Sequence, residues 1–385
     1  MRFTIVRDEL VKSVNVAFRA ISNKVSYPVL ENLKLDLTDD GLSIIGSNFE
    51  ISIKTLIPYV DGDREIIRNY KKGSALVKGK LFADIIRSMD DEEITFDVID
   101  NNASITDNHS EYRLNCIRPE EYPDLDLEAI GTELVLSKEI FHSICEQTAF
   151  AASTKEQRPV LTALNLEALN GVLTATATDS ARMARKTIVI PEEITFVANV
   201  PAKMMVEVDH LIENLPEVSI SFSDKKALFK LGKTVVATRL IAGDYPNTKN
   251  IVPKLTNYSL EVYGADLLKA IARANLLSMD RENVVDLAMS DDGVSISAKS
   301  SQVGSAVEKI DNYKFDGQQL KVSFNSEFVS SAIRALNAED VTIAFVGEMK
   351  PFVIKNTKDD SIIQVVTPVR RSAARLFGNQ KEPDD

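Results

Sequence analysis

Three histidines, two cysteines and a scatter of paired carboxylates are the side chains of this chain that could do chemistry. His109, His142 and His210 stand one by one. His142 and His210 fall in predicted helices, where a solvated or hydrogen-bonded ring is the ordinary outcome. Cys116 and Cys145 lie far apart at no metal-binding spacing and read as reduced thiols of a cytoplasmic protein. Asp39-Asp40, Asp91-Glu92 and Asp291-Asp292 could hold a metal in principle. They sit in turns or after helices, where acids cap and solubilise. Gly73-Ser74-Ala75-Leu76-Val77-Lys78-Gly79-Lys80-Leu81 glances at a phosphate-binding loop. It carries one residue too many between its glycines, and Leu81 stands where Ser or Thr would bind magnesium. No catalytic residues, no metal and no cofactor are expected, so the chain does not read as an enzyme.

The elements that would position a site are more informative, because they recur. A strand running into an amphipathic helix appears around Arg2–Ile21, Leu134–Phe150 and Leu260–Leu277. A second strand-helix junction follows each time: Val77-Lys78-Gly79-Lys80-Leu81, Val200-Pro201-Ala202-Lys203-Met204 and Val322-Ser323-Phe324-Asn325-Ser326. The period, roughly 125 residues, is domain-sized, whereas solenoid repeats run about 20–50 residues. Within the first repeat, helices are predicted over Asp8–Ser22 and Leu81–Met89, with strands at Ile94–Val98 and Ala103–Thr106. Alternating runs flank Asp39-Asp40-Gly41, and the same hairpin signal returns at Asn170-Gly171 and Asp292-Gly293. Two helices and several antiparallel strands per repeat make an α+β domain with helices on one sheet face. Stretches sharing a Tyr-Pro pair, Tyr122-Pro123 and Tyr245-Pro246, read as linkers. The resulting domains are 1–125, 126–253 and 254–371, followed by a short tail, 372–385, expected to be disordered.

A net charge of −12 argues against a simple basic DNA-coating protein. The predicted helices are nearer neutral. Segment 8–24 sets Lys12, Arg19 and Lys24 against Asp8 and Glu9; segment 78–89 sets Lys78, Lys80 and Arg87 against Asp84. The acid therefore lies mostly in strands and loops. No apolar run is long enough to span a bilayer, and Met1-Arg2-Phe3-Thr4-Ile5-Val6 reads as a strand and not as a signal peptide.

Five stretches occur in a telling order: Pro28-Val29-Leu30-Glu31-Asn32-Leu33; Arg158-Pro159-Val160-Leu161; Ala177-Thr178-Asp179-Ser180-Ala181-Arg182-Met183-Ala184; Leu240-Ile241-Ala242-Gly243-Asp244-Tyr245-Pro246; and Val365-Val366-Thr367-Pro368-Val369-Arg370. Together they resemble the bacterial sliding clamps, the beta subunits of DNA polymerase III, over residues 1–371. The resemblance implies a head-to-tail homodimer whose six similar domains form a ring, with helices facing a central hole threaded by double-stranded DNA. It implies no catalysis; such a processivity factor tethers the replicative polymerase, clamp loader and repair proteins through short linear peptides. Three repeats do not close a six-fold ring, but two copies joined head to tail do. A weakly positive lining suits sliding, since phosphate contacts carry no sequence information and are salt-sensitive.

Carried over by position, Lys24 and Lys155 would contact DNA. Helix membership adds Lys80, Arg87, Lys203, Arg273 and Arg334, together with Arg158. The partner-peptide cleft would be built from Leu161, Thr178, Ser180, Arg182, Met183, Pro246, Ile251, Pro351, Val365, Thr367, Pro368, Val369 and Arg370. An apolar slot with a few polar rims takes the Leu and Phe anchors of a short peptide. The chain departs from the family pattern at Ala181, where a His is usual, at Asn250, where a basic residue is common, and at Thr367, where a larger apolar residue is usual. These changes imply a roomier pocket. The subunit interface would pair Tyr112 and Leu114 with Leu276 and Leu277 of a second copy. The stretch Gln302–Lys309, where the family carries acids, is depleted in them.

In the tail, Arg375-Leu376-Phe377 resembles the Leu-Phe core of clamp-binding peptides, which suggests self-occupation of the cleft. Two other functions compete with the clamp. A repeat-built adaptor would bind peptides without encircling DNA. A hydrolase or nuclease would use turn carboxylates with a metal, and lacks the convergent histidine and acid cluster this would need.

Overall fold

The computed structural model describes residues 1–21, 27–128, 131, 133–212, 215–278, 283–300, 302 and 304–370. The predicted tail and Lys24 lie outside the described residues. Among the described residues the helices longer than one turn are α1 (Arg7–Phe18), α2 (Gly79–Ser88), α3 (Lys138–Thr148), α4 (Ala202–Leu211), α5 (Gly264–Asn275) and α6 (Ser326–Ala335). Each follows directly on a strand, as the repeated strand-helix grammar predicts. At α1, α2 and α5 the residue before the helix, Val6, Lys78 or Tyr263, supplies no side-chain cap. The strand's own pairing fixes the chain direction there. Only α6 has a side-chain cap among these four: Asn325 accepts from the Glu327 and Phe328 amides.

The chain divides into two compact units. The first comprises Met1–His142 and Met204–Ala242; the second comprises Ser143–Lys203 and the chain from Gly243 on. Residues 126–253 are shared between them because strands of that stretch are hydrogen-bonded to strands of different repeats.

In the first unit an eight-stranded antiparallel sheet runs Glu133–Ser137, Glu217–Phe222, Lys226–Leu231, Thr234–Arg239, Ile51–Ile57, Leu42–Ser47, Asn32–Leu37, Gly73–Lys78. A five-stranded sheet runs Glu111–Asn115, Asn102–Thr106, Glu93–Ile99, Arg2–Val6, Ile67–Lys71. Helix α1 buries Leu10, Ser13, Val14 and Ala17, the i, i+3, i+4, i+7 stripe of an amphipathic helix. With Phe82 and Ile86 of α2 and Phe3 and Phe96 of the smaller sheet, these residues form the core. Burying each large side chain contributes about 1.5–3 kcal/mol.

The second unit repeats the plan. Its nine-stranded sheet runs Phe196–Pro201, Ala163–Leu169, Val172–Thr178, Arg182–Val189, Ile362–Val366, Phe352–Asn356, Asp340–Phe345, Tyr258–Tyr263, Tyr313–Asp316. Its smaller sheet runs Gly304–Ile310, Gly293–Ser300, Val284–Ser290, Leu320–Asn325. The core gathers Leu267 and Ile271 of α5, Val329 and Ile333 of α6, and Phe324, Phe345 and Phe352 of the strands.

The predicted hairpins form. Leu37 lies opposite Leu42, Leu169 opposite Val172, and Ser290 opposite Gly293. Asn170 and Gly171 both take positive φ, 51° and 76°, as a two-residue turn between twisted strands requires. Two predicted boundaries shift. Helix α1 ends at Phe18 and closes with tighter bonds, Ala20 N–H to Ala17 O at 3.2 Å and Ile21 N–H to Phe18 O at 2.9 Å. Helix α2 starts two residues early, at Gly79, where a side chain would meet Glu31 O at 3.1 Å. The stretch that glanced at a phosphate loop contains no loop: Gly73–Lys78 is a strand paired with Asn32–Leu37 and passes straight into α2.

One glycine sets how closely α1 approaches its sheet. A Cβ on Gly46 would stand 2.2 Å from Ala17 O and 3.1 Å from Ala17 C, both backbone atoms of α1. Gly46→Ala is expected to destabilise the first unit by about 1–3 kcal/mol. Gly347→Ala, where nothing lies within 4 Å, is the control and should leave the urea midpoint unchanged. Equal midpoints for the two variants would contradict this packing.

Candidate functional site

The turn Thr178–Arg182 is held by its own polar side chains. Thr178 Oγ1 donates to Arg182 O at 2.6 Å and accepts from the Ser180 amide at 3.2 Å. Asp179 Oδ1 accepts from the amides of Ala181 and Arg182, both at 2.9 Å, and Oδ2 accepts from Arg182 Nε at 3.0 Å. Ser180 takes φ 81°, a left-handed conformation that this network stabilises. The Arg182 guanidinium is thereby aimed over the Phe328 ring at 4.6 Å and the Phe150 ring at 5.5 Å. Thr-Asp-Ser-Ala-Arg is thus a device for placing one cation on two aromatic faces.

Beside the turn runs a seam in the nine-stranded sheet, where Arg182 lies opposite Val366 and Met183 opposite Val365. Met183, Val353 and Val365 form a small buried cluster, with Val252 and Ile363 packed against it. Thr367 extends the seam by donating both its amide, at 2.9 Å, and its Oγ1, at 2.7 Å, to Ala181 O. The chain then crosses to Ser323, whose carbonyl accepts from the Val369 amide at 2.8 Å. Of the predicted cleft residues, Leu161, Thr178, Met183 and Val365 are buried, forming a floor. Pro246, Pro351, Thr367, Pro368 and Val369 are partly exposed, and Ser180, Ile251 and Arg370 are exposed. All lie in the second unit. The surface they offer is apolar with a polar rim, a form suited to binding apolar side chains.

Tyr245 buries its ring beside this turn, and burial pushes its hydroxyl pKa above the ordinary value. Tyr122, its counterpart in the first linker, is raised for the same reason.

The predicted cations divide. Lys80, Lys203 and Arg334 are exposed on α2, α4 and α6, and Lys155 is exposed in a loop. Arg87 is engaged: Nε and Nη2 donate to Asn15 Oδ1 at 3.0 and 2.5 Å, and Nη1 to Asp84 at 3.1 Å. Arg273 pairs with Glu308 at 2.7 Å. Arg158 Nη1 donates to Ser180 Oγ at 3.3 Å, so the structure groups it with the turn.

Tyr112, 36% exposed, and Leu114 sit on Glu111–Asn115, an edge strand with one side unpaired. In the second unit Leu276, 77% exposed, and the partly buried Leu277 follow α5, which packs on the edge strand Gly304–Ile310. Sequence reasoning passed over Val307, 67% exposed on that edge, and over Phe150 and Phe328 under Arg182. Alternation along residues 304–310 carried a signal for Val307. No local pattern carries one for rings brought together from distant segments.

The histidines stay apart. His109 lies 3.8 Å from Asp91, and His142 Nδ1 is 2.9 Å from Asp209 Oδ2. Among the described residues no group of three or more His, Cys, Asp or Glu side chains could hold a metal ion, and no helix is long and apolar enough to cross a membrane.

Sequence models of the DNA polymerase III beta subunit match the chain in order. The N-terminal domain matches residues 1–126, the central domain 135–247 and the C-terminal domain 249–370. The beta sliding clamp of Halalkalibacterium halodurans is 35% identical over 379 residues, spanning 96% of this chain and 100% of the relative. That of Staphylococcus aureus is 33% identical over 375 residues, spanning 96% and 99%. The crystal structure of the DNA polymerase sliding clamp from Bacillus subtilis superposes with a TM-score of 0.93 at 31% identity, covering 97% of this chain and 100% of the other.

Asp179 carries three of the turn's hydrogen bonds, one of them to a cation. Bonds to charged groups contribute about 1.5–3 kcal/mol each, part of which water recovers at a partly exposed site. Asp179→Ala should lower the urea midpoint of the second unit's transition, and Asp179→Asn, which keeps an acceptor oxygen, should lower it less. Identical midpoints for Asp179→Ala and the unaltered chain would remove the turn from its structural role.

Proposed function

The chain belongs to the bacterial beta sliding clamp family, the beta subunits of DNA polymerase III, and on that footing we propose that two copies close head to tail around duplex DNA. It is a DNA sliding clamp with the three-domain clamp fold. The domains are read as 1–125, 126–253 and 254–371. The clamp is read as a non-enzymatic, cytoplasmic processivity factor that tethers the replicative polymerase, the clamp loader and repair proteins.

What supports closure is a pair of edge strands that carry exposed apolar side chains, Tyr112 on one and Val307 on the other. Thr234–Arg239 pairs with Ile51–Ile57 in one unit, and Arg182–Val189 with Ile362–Val366 in the other, so strands of successive repeats join edge to edge. Glu111–Asn115 and Gly304–Ile310 are left with one side unpaired. An exposed edge is a template for pairing with another chain. Joining the first edge of one copy to the second edge of another satisfies both and closes a two-chain ring. Tyr112 and Leu114 then face Leu276, Leu277 and Val307. Apolar contact dominates this junction, because Glu308 is already held by Arg273 within the chain. Exposed ion pairs add only about 0–1 kcal/mol.

Lys24, Lys80, Lys155, Lys203 and Arg334 supply a sparse positive lining in this reading, with Arg87 and Arg273 muted by their own partners. Topology, and not attraction, holds the DNA. The second unit's apolar floor and rim, from Leu161 and Met183 to Val369 and Arg370, take short client peptides with Leu and Phe anchors.

Closed circular duplex DNA distinguishes encirclement from adaptor-like binding. Protein loaded on the circle should remain through gel filtration at salt that strips ordinary phosphate contacts. Cutting the circle once should release it. Equal retention on circular and cut DNA would rule out encirclement.

A further inference from the structure

Next to the cleft the same sheet face turns from apolar to polar. Met183 and Arg185 are two residues apart on one strand and so share a face, with Arg185 Nη2 4.0 Å from Met183 Sδ. Cross-strand pairing continues the row: Arg185 lies opposite Thr176, Thr176 opposite Asn165, and Asn165 opposite Asn199. The segment from Gly243 to Lys249 covers it. Asn199 Nδ2 donates to Gly243 O at 2.8 Å, and Arg185 Nη2 donates to Thr248 Oγ1 at 2.8 Å. These residues line a cavity of about 600 Å³ that reaches Pro246 of the cleft.

The cation in this cavity is incompletely satisfied. Arg185 Nε is shielded from solvent and has no hydrogen-bond partner. Its guanidinium makes no ion pair with a described carboxylate. Glu167, whose charge reaches it, is held instead by Lys249 at 3.7 Å. Burial lowers the pKa of Arg185 from its ordinary value, and Glu167 opposes that shift. Arg185 is partly buried and shares the charge of Glu167 with Lys249, so an anion that pairs with its guanidinium recovers part of the solvation it has lost. Guanidinium matches a carboxylate in shape as well as charge. The lining already carries Glu167 and Asp244 against Arg185 and Lys249. Those four charges cancel, so a singly charged carboxylate adds less uncompensated negative charge than a doubly charged phosphate does.

We propose that this cavity is an acidic-residue subsite of the peptide cleft, in which a Glu or Asp side chain of the client enters past Pro246 and pairs with Arg185. The proposal rests on the peptide-cleft reading given above and adds a specificity determinant to it. Clients carrying an acid near their apolar anchors would be preferred over otherwise equal clients without one.

Fluorescence anisotropy on the full chain with synthetic peptides tests this. One peptide carries Leu-Phe anchors flanked on both sides by Glu, a second carries Gln at the same places, and a third carries phosphoserine. On the unaltered protein the Glu peptide should bind about tenfold tighter than the Gln peptide. In Arg185→Met, and independently in Arg185→Gln, that ratio should fall to about one. A ratio near one on the unaltered protein, or one that survives both substitutions, overturns the subsite. Tighter binding of the phosphoserine peptide than of the Glu peptide overturns the choice of a carboxylate. If the Gln peptide binds, and Met183→Asp abolishes that binding while Glu brings no gain, the subsite fails and the cleft stands. If no peptide binds, both fail.

Discussion

Backbone hydrogen bonding at sheet edges is the constraint on which this molecule depends. Every buried strand must pair on both sides, and an unpaired edge invites another chain. The protein joins sheets of successive repeats at two places. Thr234–Arg239 finds Ile51–Ile57, and Arg182–Val189 finds Ile362–Val366, so sheets from successive repeats run on as one. This is why the compact units do not follow the repeats: the hydrogen bonds at the joins are as regular as those within a repeat. Glu111–Asn115 and Gly304–Ile310 are two of the sheet edges left unpaired, one at the end of each smaller sheet, and both carry exposed apolar side chains, Tyr112 on one and Val307 on the other. They are the same kind of join left open.

The proposed cleft follows from one such join. Where Met183 meets Val365, the strands bring together a buried apolar floor, and the Thr178–Arg182 turn closes one end of it. Arg182 is placed by Asp179 and by two aromatic faces, so its direction is fixed before any partner arrives. Preorganisation of this kind lowers the ordering cost of binding. Thr367 spends its hydroxyl on Ala181 O and so ties the end of the last strand to the turn.

Much of the fold was legible because it rests on local rules. Asn170-Gly171 announced its turn through two positive φ values, and the amphipathic stripe of α1 announced its buried face. Helix starts were less legible, because Val6, Lys78 and Tyr263 offer no cap and the strand alone sets the start. In the site, the Thr178–Arg182 turn could be read because its bonds are local. Phe150 and Phe328 could not, since they reach Arg182 from distant segments. Arg185 was hidden for a different reason: in Arg182-Met183-Ala184-Arg185 the charge looks like an exposed strand position, and the cover from Gly243 to Lys249 leaves it half-buried. The shortage of acids in Gln302–Lys309 was visible, but the capture of Glu308 by Arg273 joins two segments that only the fold brings together.

The central claim is that the two open edges pair with each other between copies. Amide hydrogen exchange across Glu111–Asn115 and Gly304–Ile310, followed as the protein is diluted, tests it most directly. The outward-facing amides of both strands should exchange slowly in concentrated protein. On dilution they should speed up together, in step with the fall from dimer to monomer mass. Fast exchange of either strand in a sample whose mass is that of a dimer would place the subunit contact elsewhere.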